Sequence, residues 1–170
     1  VNFTLCGDES IINPAIQVLS DAERRRVVVS HCDQVVDMGE APTSALRHKK
    51  RSSMRKAIEL VQAKEAHACV SAGNTGALLT LSFYLLKTLS GIDRPALVSM
   101  MPTASHHKVL LLDLGANVNC TPDILFQYGV MGSVLAQQVA GIASPRVALL
   151  NVGEEDIKGN AQVKSADQLF

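Results

Sequence analysis

The segment from residue 70 to residue 79 contains the residue types that can bind an anion at the start of a helix. Gly73 and Gly76 allow the backbone to bend sharply and to approach a ligand closely. Asn74 and Thr75 can cap the following helix, and the free N–H groups of its first turn suit phosphate. The segment therefore predicts a buried strand, a glycine turn and a helix, with an anion site at the turn. Glycine turns of this kind also occur without a ligand, so the prediction depends on other segments.

Three further polar segments could contribute to the same site. Residues 112–120 and 151–159 each follow a predicted strand, and both contain asparagine and acidic side chains. Because the carboxyl ends of parallel strands share one edge of a sheet, we expect these two loops to converge with the glycine turn. Residues 47–56 hold six Lys or Arg residues and no acid. Without a binding role, the basic segment 47–56 would be an exposed loop. The segment 151–159 would then be a solvated helix start in which Glu154 and Lys158 form an i, i+4 pair.

Alternating strands and helices are predicted to position these segments. The strands are Val1–Cys6, Arg26–Ser30, Ala68–Ser71, Ala96–Met101, Val109–Leu112 and Arg146–Leu150, several of them continuous apolar runs typical of strands buried on both faces. Helices are expected to begin at Ser52 or Ser53, near Thr75 and at Thr121, where capping residues precede apolar stripes. This order indicates an α/β fold with a mostly parallel sheet and helices on both faces, in one region covering residues 1–170.

Composition excludes several classes of protein. The 170 residues are 47% apolar and 19% charged, with a net charge of zero, so nothing in the overall charge favours nucleic acid or an anionic membrane. The chain has no apolar run long enough for a transmembrane helix, and it shows no basic region followed by an apolar stretch, so we expect no signal peptide. The four cysteines lack paired spacing, which predicts reduced thiols and no metal site. Phosphate-loop, dinucleotide-fingerprint, nucleophile-elbow and zinc-protease motifs are absent.

Taken together, these segments resemble the bacterial PlsX-type phosphate acyltransferases of phospholipid synthesis. The matching strings lie in the family order at 41–47, 49–54, 70–79, 94–96, 112–120, 131–132, 145–155 and 158–159. The family chain is about twice as long, so we expect this chain to be the central part of a longer protein. We expect the family's first strand and C-terminal half to lie outside this chain. Two residues depart from the family pattern. Arg51 and Asn119 stand where Asp is common, which puts an acid–base role at residue 119 in doubt.

The resemblance implies a three-layer α/β/α fold of the isocitrate/isopropylmalate dehydrogenase-like kind and a cytoplasmic homodimer without a redox cofactor or metal. Inorganic phosphate would attack the thioester of acyl-acyl carrier protein, giving acyl phosphate and free carrier protein. A segment absent here would make peripheral contact with the membrane. Rival interpretations are acyl transfer from coenzyme A, as in phosphotransacetylases, and a carrier-binding scaffold without catalysis. A dehydrogenase is suggested by fold kinship alone.

Within that reaction, each polar segment receives an expected role. Phosphate would lie at the turn formed by Ser71, Gly73, Asn74, Thr75 and Gly76, with Lys158 or Arg55 neutralising its charge. Amide donors for the oxyanion would come from Asn74, Asn117 or Asn151. Asp113 or Glu154 would orient a cation or accept a proton from phosphate. Since carrier proteins are acidic, the basic residues Arg47, Lys49, Lys50 and Arg51 are expected to dock them.

Overall fold

The computed structural model describes residues 1–104, 108–153 and 158–170. The chain divides into two compact units, Val1–Lys87 and Thr88–Phe170. Both contain helices and a small sheet, so the predicted α/β class is confirmed. None of the helices in the described ranges is both long and apolar enough to cross a membrane.

The first unit is built around a two-stranded parallel sheet. Its elements are β1 (Phe3–Gly7), α1 (Glu9–Ala15), a short 3-10 turn (Ile16–Val18), α2 (Asp21–Arg24), β2 (Val27–His31), α3 (Pro42–His48), α4 (Ser53–Gln62) and α5 (Thr75–Leu86). The register pairs Phe3 with Val27 and Gly7 with His31. Helix α4 packs against β1 and α5. The predicted parallel pairing is confirmed for this pair of strands.

Capping residues determine where α4 and α5 begin. The Ser52 hydroxyl accepts the backbone N–H of Arg55 at 3.4 Å, and the Asn74 side chain accepts the N–H of Ala77 at 2.9 Å. Each cap satisfies a donor that the first helical turn leaves without a partner. Both helix starts were predicted from these residue types, and the structure confirms them.

The core of the first unit lies between α3, α4 and α5. Its buried residues are Val36, Ala45, Met54, Ile58, Ala77, Leu81 and Leu85. Ile58 and Leu81 are fully buried, and burial of an aliphatic side chain of this size contributes about 1.5–3 kcal/mol. Packing in this core fixes the position of the start of α5, and with it the position of the predicted anion turn.

The second unit pairs a hairpin with a long helix. Its elements are β3 (Val98–Pro102), β4 (Lys108–Leu112), α6 (Pro122–Ala140) and α7 (Ala161–Asp167). As predicted, α6 has Thr121 as its N-cap and proline at the first helical position. Glycines bring α6 close to its neighbours: a Cβ on Gly132 would lie 3.1 Å from Leu112 Cδ1, and one on Gly129 would collide with the Phe170 ring.

Two features of the predicted sheet are wrong. Strands β3 and β4 pair antiparallel, because the connection between them spans only residues 103–107 and a parallel pair needs a crossover of about a dozen residues or more. No strand forms at Ala68–Ser71 or Arg146–Leu150. Both segments lack a partner strand among the described residues, and Val70 and Leu150 are 97% and 82% exposed. An apolar run forms a strand only where a neighbouring backbone completes its hydrogen bonds.

Candidate functional site

Asn74 holds the predicted anion turn in place. Its side-chain amide donates to the backbone carbonyl oxygens of Asp37, Met38 and Glu40 at 3.2, 3.0 and 2.9 Å, while its Oδ1 caps α5. The residue is buried. Since an asparagine amide has only two N–H donors, both are occupied by these three carbonyls. Asn74 therefore clamps the turn of residues 37–40 to the start of α5, and its amide is directed away from a ligand.

The backbone of the turn still offers donors. Thr75 and Gly76 are exposed, and neither backbone N–H has an acceptor within the described part of the chain. These are the first two N–H groups of a 12-residue helix, where the helix dipole adds a partial positive charge. Ser71 lies just before them and accepts the Gly73 N–H at 3.2 Å through its hydroxyl.

The turn needs glycine for space. A Cβ on Gly76 would lie 3.0 Å from Pro42 Cγ on α3, and a Cβ on Gly73 would lie 3.1 Å from Met54 Cε. Neither glycine has a positive φ, although the chain does bend at Gly73. Their small size instead lets the start of α5 approach α3 and α4 closely.

Half of the basic block is already engaged within the first unit. Lys49 donates to the Val35 carbonyl at 3.0 Å and lies 3.7 Å from the Glu40 carboxylate. Arg51 pairs with Asp33 at 2.6 Å. Arg55, predicted to neutralise phosphate, pairs with Glu59 at 2.7 Å along α4. The remaining predicted docking residues, Arg47 and Lys50, are exposed and form no ion pair with a described carboxylate.

Asp113 and Asn117 lie together in the second unit. The Asp113 carboxylate accepts the backbone N–H of Leu97 at 2.8 Å and, on its other oxygen, the backbone N–H of Asn117 at 2.6 Å. The Asn117 amide donates to the same oxygen at 3.1 Å and to the Pro95 carbonyl at 3.0 Å. These bonds fix the loop that follows β4 against the segment before β3.

Tyr128 and Cys120 border this loop and were not among the predicted site residues. The Tyr128 hydroxyl donates to the Pro95 carbonyl at 3.4 Å, so Pro95 receives two side-chain donors. Burial, with the nearby Cys120 and Asp113, raises the pKa of Tyr128 to about 12. Burial also raises the pKa of the Cys120 thiol, and Asp113 adds to the effect. Tyr128 lies on the apolar stripe of α6, so the sequence pattern indicated only a core position.

The residues around the third polar segment are partly described. Asn151 accepts the Val152 N–H at 2.9 Å, and Gly159, with φ of +89°, approaches so closely that a Cβ would lie 2.8 Å from Asn151 Oδ1. Lys158 is exposed and has no ion-pair partner in the described ranges. Glu154, a predicted catalytic residue, lies outside the described residues.

The predicted site residues therefore fall into separate groups. Ser71–Gly76 and the basic block belong to the first unit, whereas Asp113 with Asn117, and Asn151 with Lys158, belong to the second. Their convergence at one edge joins residues of both units and stays a prediction. Searching the described residues finds no cluster of three His, Cys, Asp or Glu side chains that could hold a metal ion.

Comparison with known proteins gives one consistent result. Residues 1–170 match a family described as fatty acid synthesis protein. The chain is 56% identical over 170 residues to the phosphate acyltransferase of Pseudoalteromonas atlantica, covering all of this chain and 50% of the relative. It is 54% identical over 170 residues to that of Pseudomonas syringae pv. syringae, again along its whole length and over 49% of the relative. The chain spans about half the length of the curated relatives that it matches.

Proposed function

The chain belongs to the fatty acid synthesis protein family, and we propose from this premise that it is part of a phosphate acyltransferase. A phosphate oxygen attacks the thioester carbonyl of acyl-acyl carrier protein, the carbon–sulfur bond breaks, and the carrier thiolate leaves. The products are acyl phosphate, which serves phospholipid synthesis, and free carrier protein. The curated relatives named above share the name phosphate acyltransferase, which supports the reaction class.

The observation that carries the proposal is the pair of free N–H groups at the start of α5. Thr75 and Gly76 present them on a helix that Asn74 caps and clamps. Phosphate bound there would be held by donors that are fixed before it arrives, so little ordering is required on binding. Holding phosphate in line with the thioester is the main catalytic term that such a site supplies.

The other roles follow from which side chains remain available. Because the amides of Asn74 and Asn117 are both occupied, the exposed Asn151 would supply the oxyanion donor. Lys158 is exposed and without a partner in the described ranges, so it would neutralise phosphate charge more readily than Arg55, which pairs with Glu59. Asp113 or Glu154 would orient the cation or accept the phosphate proton.

The finer structural proposals concern the whole protein. We expect the three-layer arrangement of the isocitrate/isopropylmalate dehydrogenase-like fold, a homodimer, and a cytoplasmic enzyme with peripheral membrane contact outside this chain. No redox cofactor is needed, because the reaction exchanges a thioester for a mixed anhydride without electron transfer. These expectations are supported by the resemblance of the sequence strings.

Replacing Thr75 by proline tests the anion site with little disturbance of the helix. Proline is well tolerated at the first position of a helix and removes only the N–H that would bind phosphate. Asn74 has ψ of 110°, close to the extended values that the residue before a proline prefers. Thr75→Ala, the matched control, keeps the N–H and loses the hydroxyl.

The assay is acyl-phosphate formation by the full-length protein from palmitoyl-acyl carrier protein and phosphate. We expect Thr75→Pro to raise KM for phosphate by about tenfold or more, the scale of one lost hydrogen bond to a charged group, and Thr75→Ala to change it little. An equal KM for phosphate in Thr75→Pro and Thr75→Ala would show that the start of α5 does not bind phosphate. Turnover with acyl-coenzyme A but not with acyl-acyl carrier protein would show that coenzyme A, and not carrier protein, delivers the acyl group.

Lys158 and the docking residues are tested in the same assay. Lys158→Ala should lower kcat by about 100-fold if its ammonium stabilises developing charge, with exposed Lys164→Ala as the control. For docking, Arg47→Glu with Lys50→Glu should weaken kcat/KM for carrier protein and flatten its salt dependence. An unchanged salt dependence would exclude the docking role of these two residues.

A further inference from the structure

A cleft of about 400 Å³ opens at the C-terminal end of β2, inside the first unit. The side chains that matter to its chemistry come from the end of β2, from the segment leading into α4 and from α4 itself. They are those of His31, Asp33, Lys50, Arg51, Lys56 and Glu59. Lys50, Arg51 and Lys56 belong to the basic block, whereas the other three residues belong to none of the polar segments discussed above. Its volume lies within the range that accommodates small molecules, about 300–1,000 Å³.

The two acidic groups of the cleft are already neutralised. Asp33 pairs with Arg51 at 2.6 Å. Glu59 pairs with Arg55 at 2.7 Å. Each carboxylate therefore has an arginine partner of its own, and neither is available to balance another cation.

Two lysines are left without a partner. Lys50 is exposed and Lys56 is half-buried, and neither forms an ion pair with any carboxylate in the described ranges. Removing an ammonium from water without a counter-charge is unfavourable, and this cost falls mainly on Lys56. An anion held in the cleft would compensate it.

His31 adds a third donor. Its Nδ1 accepts the backbone N–H of Glu9 at 3.3 Å. In the neutral ring the proton must then be on Nε2, so that atom is a donor rather than an acceptor. The same hydrogen bond limits rotation of the ring.

We propose that this cleft binds the phosphate group of a small-molecule ligand, with Lys50 and Lys56 as its cationic contacts and the Nε2–H of His31 as a further hydrogen-bond donor. A phosphate group carries up to two negative charges near neutral pH and several acceptor oxygens, which matches two ammonium groups and an N–H better than a carboxylate does. The remaining volume accommodates the rest of the ligand. The site is separate from the start of α5 and does not depend on acyl transfer.

Isothermal titration of the full-length protein with inorganic pyrophosphate tests the proposal at constant ionic strength. Lys56→Met keeps the alkyl stem and removes the charge. We expect about tenfold or more weaker binding in Lys56→Met and in Lys50→Met, and no change in Lys164→Met, which removes an exposed lysine elsewhere. Because Lys50 is exposed, its replacement does not endanger folding, and circular dichroism checks the fold of each variant.

The outcomes separate this proposal from the proposed function. Weaker pyrophosphate binding in the two cleft variants, with normal binding in Thr75→Pro, supports the cleft whether or not the protein transfers acyl groups. Loss of binding only in Thr75→Pro would place the anion at α5 and overturn the cleft proposal. Equal weakening in Lys164→Met would show a general charge effect, and undetectable binding to the wild type at millimolar concentration would also overturn it.

Discussion

Substitutions of Asn74 test which of its hydrogen bonds stabilise the predicted anion turn. In the Asn74→Asp variant, a carboxylate oxygen can still accept the Ala77 N–H, so the helix cap is retained. The two N–H donors are lost, and an acceptor then faces the three carbonyls of residues 37–40. The variant therefore separates the clamp from the cap.

The expected effect follows from the two lost donors. Leaving a partly buried carbonyl without its donor and opposite a carboxylate costs about 1–2 kcal/mol, so loss of both N–H groups should destabilise the turn by about 2–4 kcal/mol. Asn74→Ala should lose about 1 kcal/mol for the cap in addition to the clamp. Asn160 offers a matched control, because its side chain caps α7 at 2.9 Å and is exposed. Asn160→Asp should therefore be nearly neutral.

Hydrogen exchange of the full-length protein, read by mass spectrometry, measures the effect locally. Since about 1.4 kcal/mol corresponds to a tenfold change, peptides covering residues 37–40 and 74–78 should exchange about 30-fold to several hundred-fold faster in Asn74→Asp. The peptide that contains α7 should be unchanged in Asn160→Asp. Exchange as slow as wild type in Asn74→Asp would refute the clamp, and faster exchange confined to Asn74→Ala would show that Asn74 acts only as a cap.

Three further predictions concern glycine positions and one tyrosine. Gly159→Ala should destabilise the protein by about 2 kcal/mol or more in thermal unfolding, since it adds a steric conflict to backbone strain, whereas Gly91→Ala, at φ of +85° in open space, should cost about 1 kcal/mol. Gly76→Ala should destabilise more than Gly73→Ala, because the first meets a proline ring and the second a flexible methionine. Tyr128 has a pKa of about 12 in the folded state and about 10 in the unfolded state. Its contribution to the free energy of unfolding is therefore complete below pH 10 and should fall by about 2–3 kcal/mol as the pH rises from 10 to 12.

Each of these predictions has an outcome that contradicts it. Equal destabilisation by Gly159→Ala and Gly91→Ala would mean that the Asn151 side chain moves away from an added Cβ at little cost. Equal effects at Gly73 and Gly76 would mean that the start of α5 can move away from α3. For Tyr128, the comparison is the alkaline stability of Tyr128→Phe, which should lack the extra loss that wild type shows. Parallel profiles for the two proteins would contradict the raised pKa.

Local chemistry explains why the helices were predictable. Ser52, Asn74 and Thr121 cap their helices through contacts within three residues, so the sequence near each start contains all the necessary information. The segments 68–71 and 146–150 are different, because a strand depends on a neighbouring backbone that the local sequence does not specify. Their apolar residues predicted burial on both faces, and Val70 is instead almost fully exposed.

Residue type alone does not distinguish a structural role from a binding role at the predicted site. Asn74, Asp113 and Asn117 were chosen because amides and carboxylates can bind substrate, and the structure shows their polar atoms bonded to backbone groups. The same chemistry serves loop structure and ligand binding, and only the partners distinguish them. The cleft beside β2 was not predicted because the basic block was considered without the end of β2, which lies about 20 positions before it and shares no motif with it.

The bonds at Asp113 have a consequence for the thermodynamics of ligand binding. Its carboxylate, Asn117 and the Pro95 carbonyl hold the loop after β4 in one arrangement. The conformational entropy of that loop is therefore lost during folding rather than on association with a ligand. A ligand that contacts this loop should bind with a small entropic penalty, and loosening the loop should transfer that penalty to each binding event.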